Sequence, residues 1–342
     1  MNNLQKAIAP GDHGWTRREF LYALAGGIVL ASGITAGGRY LRPRLQSETF
    51  VARMNEYGGN LSGLIVEGVR ELGLSPDEIR GKRILLKPNL VETSQGAPHI
   101  NTHPLVLRGA IEAFLQLGAA TVMVAEGPGH RRDTLAVYEE SGLADVLTED
   151  RIQFHDLNYI SGYTVKNLGG QSSLHTLTFP SLFREVDWIV SVAKMKTHHW
   201  AGATLSMKNL FGVMPGIYYG WPKNVLHHAG IENSILDINA TLKPHFAIVD
   251  GIVGMEGDGP IMGTPKKVGV VVMGRNLAAV DATCCRIMGI DPKKVSYLSR
   301  ADNWLGPIHE SSIQQRGESI ASVRTNFNLV DQIPAHRGIR LA

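Results

Sequence analysis

Cysteine is scarce in this chain of 342 residues, and that scarcity excludes several kinds of site. Only two cysteines occur, and they are neighbours, Cys284 and Cys285. One adjacent pair cannot supply the spacing of an iron–sulfur or zinc-finger site, so an iron–sulfur cluster is not expected. Consecutive Cα atoms lie only about 3.8 Å apart, below the usual disulfide range, so both are interpreted as small core residues of a helix.

A large excess of one charge is also absent. The chain has 34 basic and 31 acidic residues and no basic run, which argues against nucleic-acid binding. It also lacks a P-loop, EF-hand spacing and a GxGxxG after the first predicted strand, so neither a phosphate loop nor a Rossmann dinucleotide site is predicted. Apolar residues make up 44% of the chain, enough for a substantial core in one large or two ordinary domains.

The N-terminus carries the clearest targeting feature. "TRREFL" (Thr16–Leu21) leads into the apolar stretch "LYALAGGIVLASGITAGG" (Leu21–Gly38), which resembles a twin-arginine export signal. A plain membrane helix is the alternative, but the short stretch rich in Gly and Ala favours the signal. No clean A-x-A site follows, so a cleaved signal and an uncleaved membrane anchor both stay open. We expect the export machinery as a partner, and a location in the periplasm or on the outer face of the cytoplasmic membrane.

We separate residues 1–48, as signal or anchor and linker, from one module with insertions at 49–342. Strands are predicted at 82–89, 121–129, 187–198, from 245 onward and at 267–274. Helices are predicted at 103–119, 132–147, 232–242 and 276–289. Continuous Val, Ile and Leu runs between helices predict an α/β fold with a mainly parallel, doubly wound sheet and helices on both faces. The polar stretch 158–173 is interpreted as an insertion or a hairpin, and the tail after Arg316 is not assigned.

Polar residues mark the ends of four predicted strands. In open α/β sheets, ligands bind in the crevice outside the carboxyl ends of the strands, so these residues are expected to converge on one crevice. The strand ends are Lys87-Pro88-Asn89, Glu126-Gly127, Lys194 to His198, and Asp250-Gly251 with Glu256 beyond it.

The lysines and asparagines near these ends suit an anion, because an ammonium binds phosphate or carboxylate as a point charge. Lysines that are simply solvated are the alternative. A Schiff-base lysine is a minor hypothesis, since nothing in the sequence singles one out. The predicted substrate-binding residues are Lys87, Asn89, Lys194, Lys196, Lys208 and Asn209.

Histidines and carboxylates supply candidates for proton transfer or a divalent metal. His198, Glu126 and Asp250 are the predicted catalytic residues. Adjacent histidines on an extended chain point to opposite sides, and no local H-x-x-x-H motif occurs, so hydrogen bonding or acid–base chemistry is favoured over a metal. The candidate metal ligands are His103, His199 and Glu256, and the identity of any cofactor stays open.

Two glycine-rich segments keep two interpretations each. "DGIVGMEGDGP" (Asp250–Pro260) either orients a cation or lysines, or is a tight turn. "FGVMPGIYYGWP" (Phe211–Pro222) either closes over a ligand or packs on a partner or a membrane.

Together these segments resemble a known family. "LLKPNLV", "THP", "AEGPG", "VAKMKTHHWAGATLSMKNLFGVMPG" and "DGIVGMEGDGP" are similar to the recurring blocks of the DUF362 family, over roughly Ile84 to Asp281. The resemblance implies one α/β module and marks the same strand-end residues, but it brings no established reaction. Many members carry ferredoxin-like cysteine clusters, which this sequence lacks.

Two hypotheses of function follow. The first is an exported enzyme that acts on a small anionic substrate in the strand-end crevice. The second is a non-catalytic protein that binds a ligand or metal, or that helps to mature a periplasmic redox system.

Overall fold

The computed structural model describes residues 44–93, 96–129 and 133–342. The chain divides into two units, residues 1–44 and 45–342, and the second unit contains the sheet. The predicted export signal lies outside the described residues. Within the described ranges, no helix is long and apolar enough to cross a membrane.

Nine of the eleven strands in the described residues form one sheet, in the order β11-β1-β10-β9-β7-β2-β3-β4, with β8 paired to the end of β7. The remaining two, β5 and β6, pair only with each other. The strands are β1 Ser47–Arg53, β2 Arg83–Pro88, β3 Thr121–Glu126, β4 Phe154–Asp156, β5 Gly162–Lys166, β6 Thr176–Pro180, β7 Trp188–His198, β8 Gly202–Thr204, β9 Phe246–Glu256, β10 Thr264–Gly274 and β11 Ile313–Gly317.

The centre of the sheet is parallel, as predicted. Strands β9, β7, β2, β3 and β4 lie side by side and run parallel to one another. β10 is antiparallel to both β9 and β1, because only a short connection separates it from β9 and a parallel return needs a crossover of a dozen or more residues. The predicted fold class, an α/β sheet that is mostly parallel, is therefore confirmed.

Helices cover both faces of the sheet. The α-helices are α1 Leu61–Glu71, α2 Pro76–Ile79, α3 Pro104–Gln116, α4 Thr134–Glu140, α5 Leu143–Glu149, α6 Ser206–Asn209, α7 Gly216–Tyr219, α8 Asn224–His228, α9 Ile231–Leu242, α10 Leu277–Ile287, α11 Ser296–Ala301 and α12 Ile320–Val323. Short 3₁₀ turns lie at Ser181–Arg184, Leu210–Val213, Pro292–Lys294, Glu310–Ser312 and Pro334–His336.

Strand β7 shows how the two cores are divided. Val190 and Val192 are buried with α1 and α3 on one face, whereas Ala193 and Met195 are buried with α9 and α10 on the other. Successive strand residues point to opposite faces, so the unbroken apolar run of a central strand is needed to fill both cores.

Several boundaries differ from the sequence predictions. The helix predicted at 132–147 is two helices, α4 and α5, because Gly142 between them takes a left-handed conformation with φ 77°. The polar stretch 158–173 provides β5 of the β5–β6 hairpin. The unassigned tail after Arg316 contains the last residue of β11, the helix α12 and the 3₁₀ turn Pro334–His336. β1 begins at Ser47, so two residues placed with the N-terminal segment belong to the sheet.

Asp250 does not end its strand. β9 continues through Gly251 to Glu256. A Cβ added at Gly251 would lie 2.9 Å from the Met195 side chain and 3.1 Å from a Val270 carbonyl, so this glycine marks a close approach between strands and not a turn.

Candidate functional site

A cavity of about 600 Å³ lies at the carboxyl ends of β2, β3 and β7. This is the crevice that the strand-end residues predict. Its charged and hydrogen-bonding lining includes seven predicted residues and five that were not predicted for the site. The first group is Lys87, Asn89, Glu126, His198, His199, Lys208 and Asn209; the second is Glu92, Thr204, Lys223, His227 and Asp258.

The floor of the cavity is built on a buried ion pair. Lys87 at the end of β2 donates to the Glu126 carboxylate at the end of β3, and each side chain is only 1% exposed. The Lys87 ammonium also donates to Asn209 Oδ1 at 2.9 Å and to the Pro88 carbonyl at 2.7 Å. An ammonium has three protons, so these contacts use the whole donor capacity of Lys87. Lys87 therefore positions the floor and offers no free donor to a ligand.

Two polar atoms in the lining lack a partner. Asn89 donates through Nδ2 to Asn209 Oδ1 at 3.3 Å, but within the described part of the chain its own Oδ1 accepts no hydrogen bond. The Thr204 hydroxyl is likewise unpartnered there. Buried polar atoms are normally satisfied, so both atoms are candidates for contact with a bound molecule or water.

Gly212 lets the backbone pass directly over the ion pair. A Cβ at this position would lie 1.9 Å from Glu126 Oε1 and 2.8 Å from Lys87 Nζ. Only glycine fits there without moving the floor.

Lys208 is a cation of the site that has no anionic partner among the described residues. It lies on α6, its Nζ sits 5.4 Å from the centre of the Phe211 ring, and no carboxylate or other acceptor among the described residues pairs with it. Burial, and then the charge of Lys87, lower the pKa of Lys208 to about 8. At neutral pH it is mostly an ammonium that still needs an anion.

Asp281 of α10 holds α6 in place. Its carboxylate accepts from the backbone N–H of Ser206 at 2.8 Å, from the Ser206 hydroxyl at 2.5 Å and from the Met207 N–H at 3.0 Å. Burial raises the pKa of Asp281 to about 7. Because α6 has a single turn, this contact fixes the direction of Lys208 and Asn209. Asp281 was not predicted from the sequence, because this residue lies in the middle of a helix and 73 residues beyond Lys208.

His198 is held as a neutral donor. Its Nδ1 accepts from the backbone N–H groups of Trp200 at 3.0 Å and Ala201 at 3.2 Å. The proton of the ring must then be on Nε2. Burial, followed by the charge of Lys208, lowers the pKa of His198 well below its usual value.

His227 has the opposite tautomer. Its Nδ1 lies 3.0 Å from the carbonyl oxygen of Lys223, which can only accept, so Nδ1 carries the proton and Nε2 keeps its lone pair. Burial lowers the pKa of His227 as well. One imidazole of the cavity is therefore a hydrogen-bond donor at Nε2 and the other is an acceptor at Nε2.

Lys223 closes the cavity from the loop before α8. Its ammonium donates to Asn158 Oδ1 and to the Met214 carbonyl, and burial lowers its pKa to about 7. Lys223 and His227 were not placed in the site because strand ends were the criterion, and this loop follows no strand. The turn sequence "GWPK" around Lys223 was the feature that could have identified this loop as part of the site.

A family model described as a domain of unknown function (DUF362) matches residues 84–286, more than half of the chain. The chain belongs to this family. A thylakoid-associated protein of Synechocystis sp. is 25% identical over 224 residues, which cover 64% of this chain and 67% of that protein.

Two solved structures show weaker likeness. The lactate racemase apoprotein from Thermoanaerobacterium thermosaccharolyticum has 19% identity and a TM-score of 0.42, over 72% of this chain and 58% of that one. A Thermotoga maritima protein has 14% identity and a TM-score of 0.37, over 66% and 59% respectively. This chain thus spans less than two thirds of either solved chain.

The two cysteines of the chain are not suited to hold an iron–sulfur cluster. Cys284 and Cys285 are fully buried on α10, and burial raises the pKa of both thiols. Two buried neighbours cannot supply four thiolate ligands.

Lys194 and Asp250, predicted for the site of this DUF362 chain, lie beside the cavity and do not line it. They are paired across β7 and β9, with Lys194 Nζ 2.8 Å from Asp250 Oδ2, and both side chains are 0% exposed. Asp250 also accepts from the backbone N–H of His103 at 3.1 Å, and Lys194 donates to Tyr57 at 2.9 Å. The pair ties α3 and the segment before α1 to the sheet.

Lys196 is also turned away from the cavity. Its Nζ donates to the carbonyls of Ile100 at 2.9 Å and Pro260 at 3.3 Å. Burial, and then the charges of Lys208 and Lys194, lower its pKa well below the usual value.

The three candidate metal ligands do not come together. His103 caps α3 and stacks on Tyr57 with ring centres 3.6 Å apart, and burial lowers its pKa to about 4. Glu256 pairs with Lys266 at 3.2 Å, whereas His199 Nδ1 lies 3.3 Å from Asp258. Across residues 44–93, 96–129 and 133–342, no group of three or more His, Cys, Asp or Glu could hold a metal.

The aromatic segment Phe211–Pro222 forms one wall of the cavity through Phe211, Gly212 and Pro222. Between them, the Tyr219 hydroxyl accepts from the Thr178 N–H at 2.7 Å and the Tyr218 hydroxyl from the Gly162 N–H at 3.2 Å. The β5–β6 hairpin therefore supports this wall.

We expect Lys194→Met to lower the free energy of unfolding by about 3–5 kcal/mol, because it leaves the Asp250 carboxylate buried without its counter-ion. Lys208→Met is the matched control, with an expected loss of about 1 kcal/mol or less, since that ammonium has no carboxylate partner. Urea unfolding at neutral pH measures both. Equal losses would contradict the structural role of Lys194.

Gly212→Ala should destabilise the protein by about 1–3 kcal/mol, because the added methyl group pushes the Lys87–Glu126 pair apart. Gly58→Ala is the control, since a Cβ there meets nothing within 4 Å. Thermal unfolding of both variants measures the effect. A loss of stability in Gly58→Ala as large as in Gly212→Ala would contradict this explanation.

Proposed function

We propose that this protein is an exported enzyme that binds a small anionic compound in the strand-end cavity and transfers a proton on it. The observation that carries the proposal is the unpaired ammonium of Lys208 on a floor where Glu126 is already neutralised by Lys87. Lys208 is partly buried, and a cation in that position without a partner is costly; a carboxylate or phosphate of the ligand removes that cost.

The two unpartnered atoms restrict which chemical groups the ligand carries. The Thr204 hydroxyl can donate to the same anionic group. Asn89 Oδ1 can only accept, so a ligand that also carries a hydroxyl or amino group satisfies it. These requirements favour a small acid or phosphate with a second, hydrogen-donating substituent.

The histidine tautomers support proton transfer. His227 Nε2, with its lone pair, is the proposed base, and His198 Nε2–H is the proposed donor to an oxygen on which charge develops. Glu126 and Asp250, which the sequence analysis grouped with His198 as catalytic, are proposed to hold lysines in place.

Export rests on the sequence of the N-terminal segment alone. Arg17 and Arg18 before the apolar stretch support a twin-arginine signal, and we propose that the enzyme works in the periplasm or on the outer face of the cytoplasmic membrane.

Lys208→Gln should weaken the binding of a small anion about tenfold to a hundredfold, because a charged hydrogen bond is lost. Sulfate is a suitable probe, as its charge is constant from neutral to alkaline pH. Calorimetric titration measures the dissociation constants, with Lys293→Gln as a surface control. If Lys208→Gln binds sulfate as well as the unaltered protein does, the proposed anion site is wrong.

The pH dependence follows from the same group. The ammonium form of Lys208 binds the anion, so the affinity advantage of the unaltered protein over Lys208→Gln should be nearly constant below the Lys208 pKa of about 8 and should fall as pH rises through it. That decrease should approach tenfold per pH unit until the advantage is lost. Lys223, whose pKa is about 7, remains in both proteins and contributes the same titration to each. A parallel pH profile in the two proteins would contradict this assignment.

¹⁵N NMR of histidine-labelled protein should find His198 as the Nε2–H tautomer and His227 as the Nδ1–H tautomer. At pH 6.5 both should be less protonated than a solvent-exposed imidazole, since burial lowers both pKa values. His198→Gln and His227→Gln assign the signals. A His198 that titrates near its usual pKa would remove the proposed donor.

Turnover tests the catalytic part. A panel of small carboxylates and phosphates is incubated with the unaltered protein and with His227→Gln. Loss of turnover in the variant, with anion affinity retained, supports an enzyme. Tight binding without turnover of any compound favours a non-catalytic binding or maturation protein.

A further inference from the structure

The polar and apolar side chains around the cavity lie at unusual depths. The polar side chains are at the bottom, where Lys87 and Glu126 are 1% exposed and Asn209 and His198 are 3% exposed. The exposed side chains around the opening include Trp200, which is 59% exposed, and Met262, which is 77% exposed. Protein surfaces usually place charge outside and apolar groups inside, so this reversal needs an explanation.

We use the word mouth for the exposed apolar part of the cavity lining. It consists of Trp200 on one side and Pro260–Met262 on the other. Both sides are anchored to residues of β7. The Trp200 N–H donates to Nδ1 of His198, and the Lys196 ammonium donates to the Pro260 carbonyl.

A backbone hydrogen bond joins the two sides of the mouth. The His199 N–H donates to the Gly259 carbonyl at 3.0 Å. A Cβ at Gly259 would lie 2.1 Å from the Thr197 carbonyl oxygen, so the two segments are in direct contact. The exposed apolar groups are therefore held at the opening by the same framework that orients the donor histidine.

We infer that the ligand of this cavity is an amphiphilic anion, with a charged group that reaches Lys208 and an apolar or aromatic body that covers Trp200 and Met262. This inference rests on the proposed anion site and adds the chemistry of the other end of the ligand. A wholly hydrophilic anion would leave both apolar side chains in water, whereas an apolar body buries them and gains affinity in proportion to the area covered.

The charged groups at the mouth are compatible with such a ligand. Asp258 lies 3.3 Å from His199 Nδ1, so this carboxylate of the cavity lining has a basic partner. The Trp200 ring lies next to His199 and His227, at ring-centre distances of 4.7 and 5.5 Å, so this side of the mouth adjoins the proposed base. An apolar body on Trp200 would lie next to the group that transfers the proton.

Straight-chain carboxylates of two to ten carbons test the inference, at concentrations below micelle formation. Dissociation constants are measured by calorimetric or NMR titration of the whole protein. Each added methylene group that reaches the mouth should tighten binding about threefold to fourfold, because burial of one such group is worth about 0.8 kcal/mol.

The double variant Trp200→Ala, Met262→Ala should flatten the increase of affinity with chain length and leave acetate affinity unchanged. The control is Trp304→Ala, a tryptophan that is 41% exposed and does not line this cavity, and it should retain the full increase.

The two proposals fail in different ways. If no carboxylate of any length binds, or if Lys208→Gln changes nothing, the anion site itself is wrong. If short and long carboxylates bind with equal affinity, the anion site stands and the amphiphilic ligand is overturned. A length dependence that survives in the double variant also overturns it, because the apolar body would then lie elsewhere.

Discussion

The buried ion pair between Lys87 and Glu126 is the interaction on which the site depends. It joins the ends of β2 and β3, and through Asn209 it reaches the single-turn helix α6. Desolvation of two charges is repaid only when the remaining donors are satisfied, and the carbonyl of Pro88 and the amide of Asn209 complete the set. Because the pair cancels its own charge, the positive field of the floor belongs to Lys208.

A second buried pair has a different consequence. Lys194 and Asp250 lie inside the sheet, where neighbouring strands place them side by side, and Tyr57 and His103 cover them. A buried lysine–carboxylate pair thus forms the floor of the cavity at the edge of the sheet, and a second such pair links strands within it. What separates the two cases is whether the strand ends there, since only at an end does the backbone open onto a cavity.

That distinction explains how far the sequence could predict the molecule. The apolar runs reveal the parallel centre of the sheet, and strand ends correctly gather Lys87, Glu126 and His198 on one cavity. Asp250 was misplaced because a glycine after a polar residue looks like a turn, although Gly251 is a close contact inside β9. His227 was missed because its position depends on the Trp221–Lys223 turn and not on a strand.

We expect the electrostatic strength of Lys208 at the floor to depend on how much water the mouth admits. With the mouth open, solvent screens Lys208 and weakens its attraction for an anion. An apolar body that covers Trp200 and Met262 removes that water, which strengthens the attraction but also penalises an isolated ammonium. The two effects are reconciled only when the charged group and the apolar body arrive on one molecule, since the anion then keeps Lys208 protonated while the site closes. A cavity with this order of polarity therefore selects for both features of its ligand together.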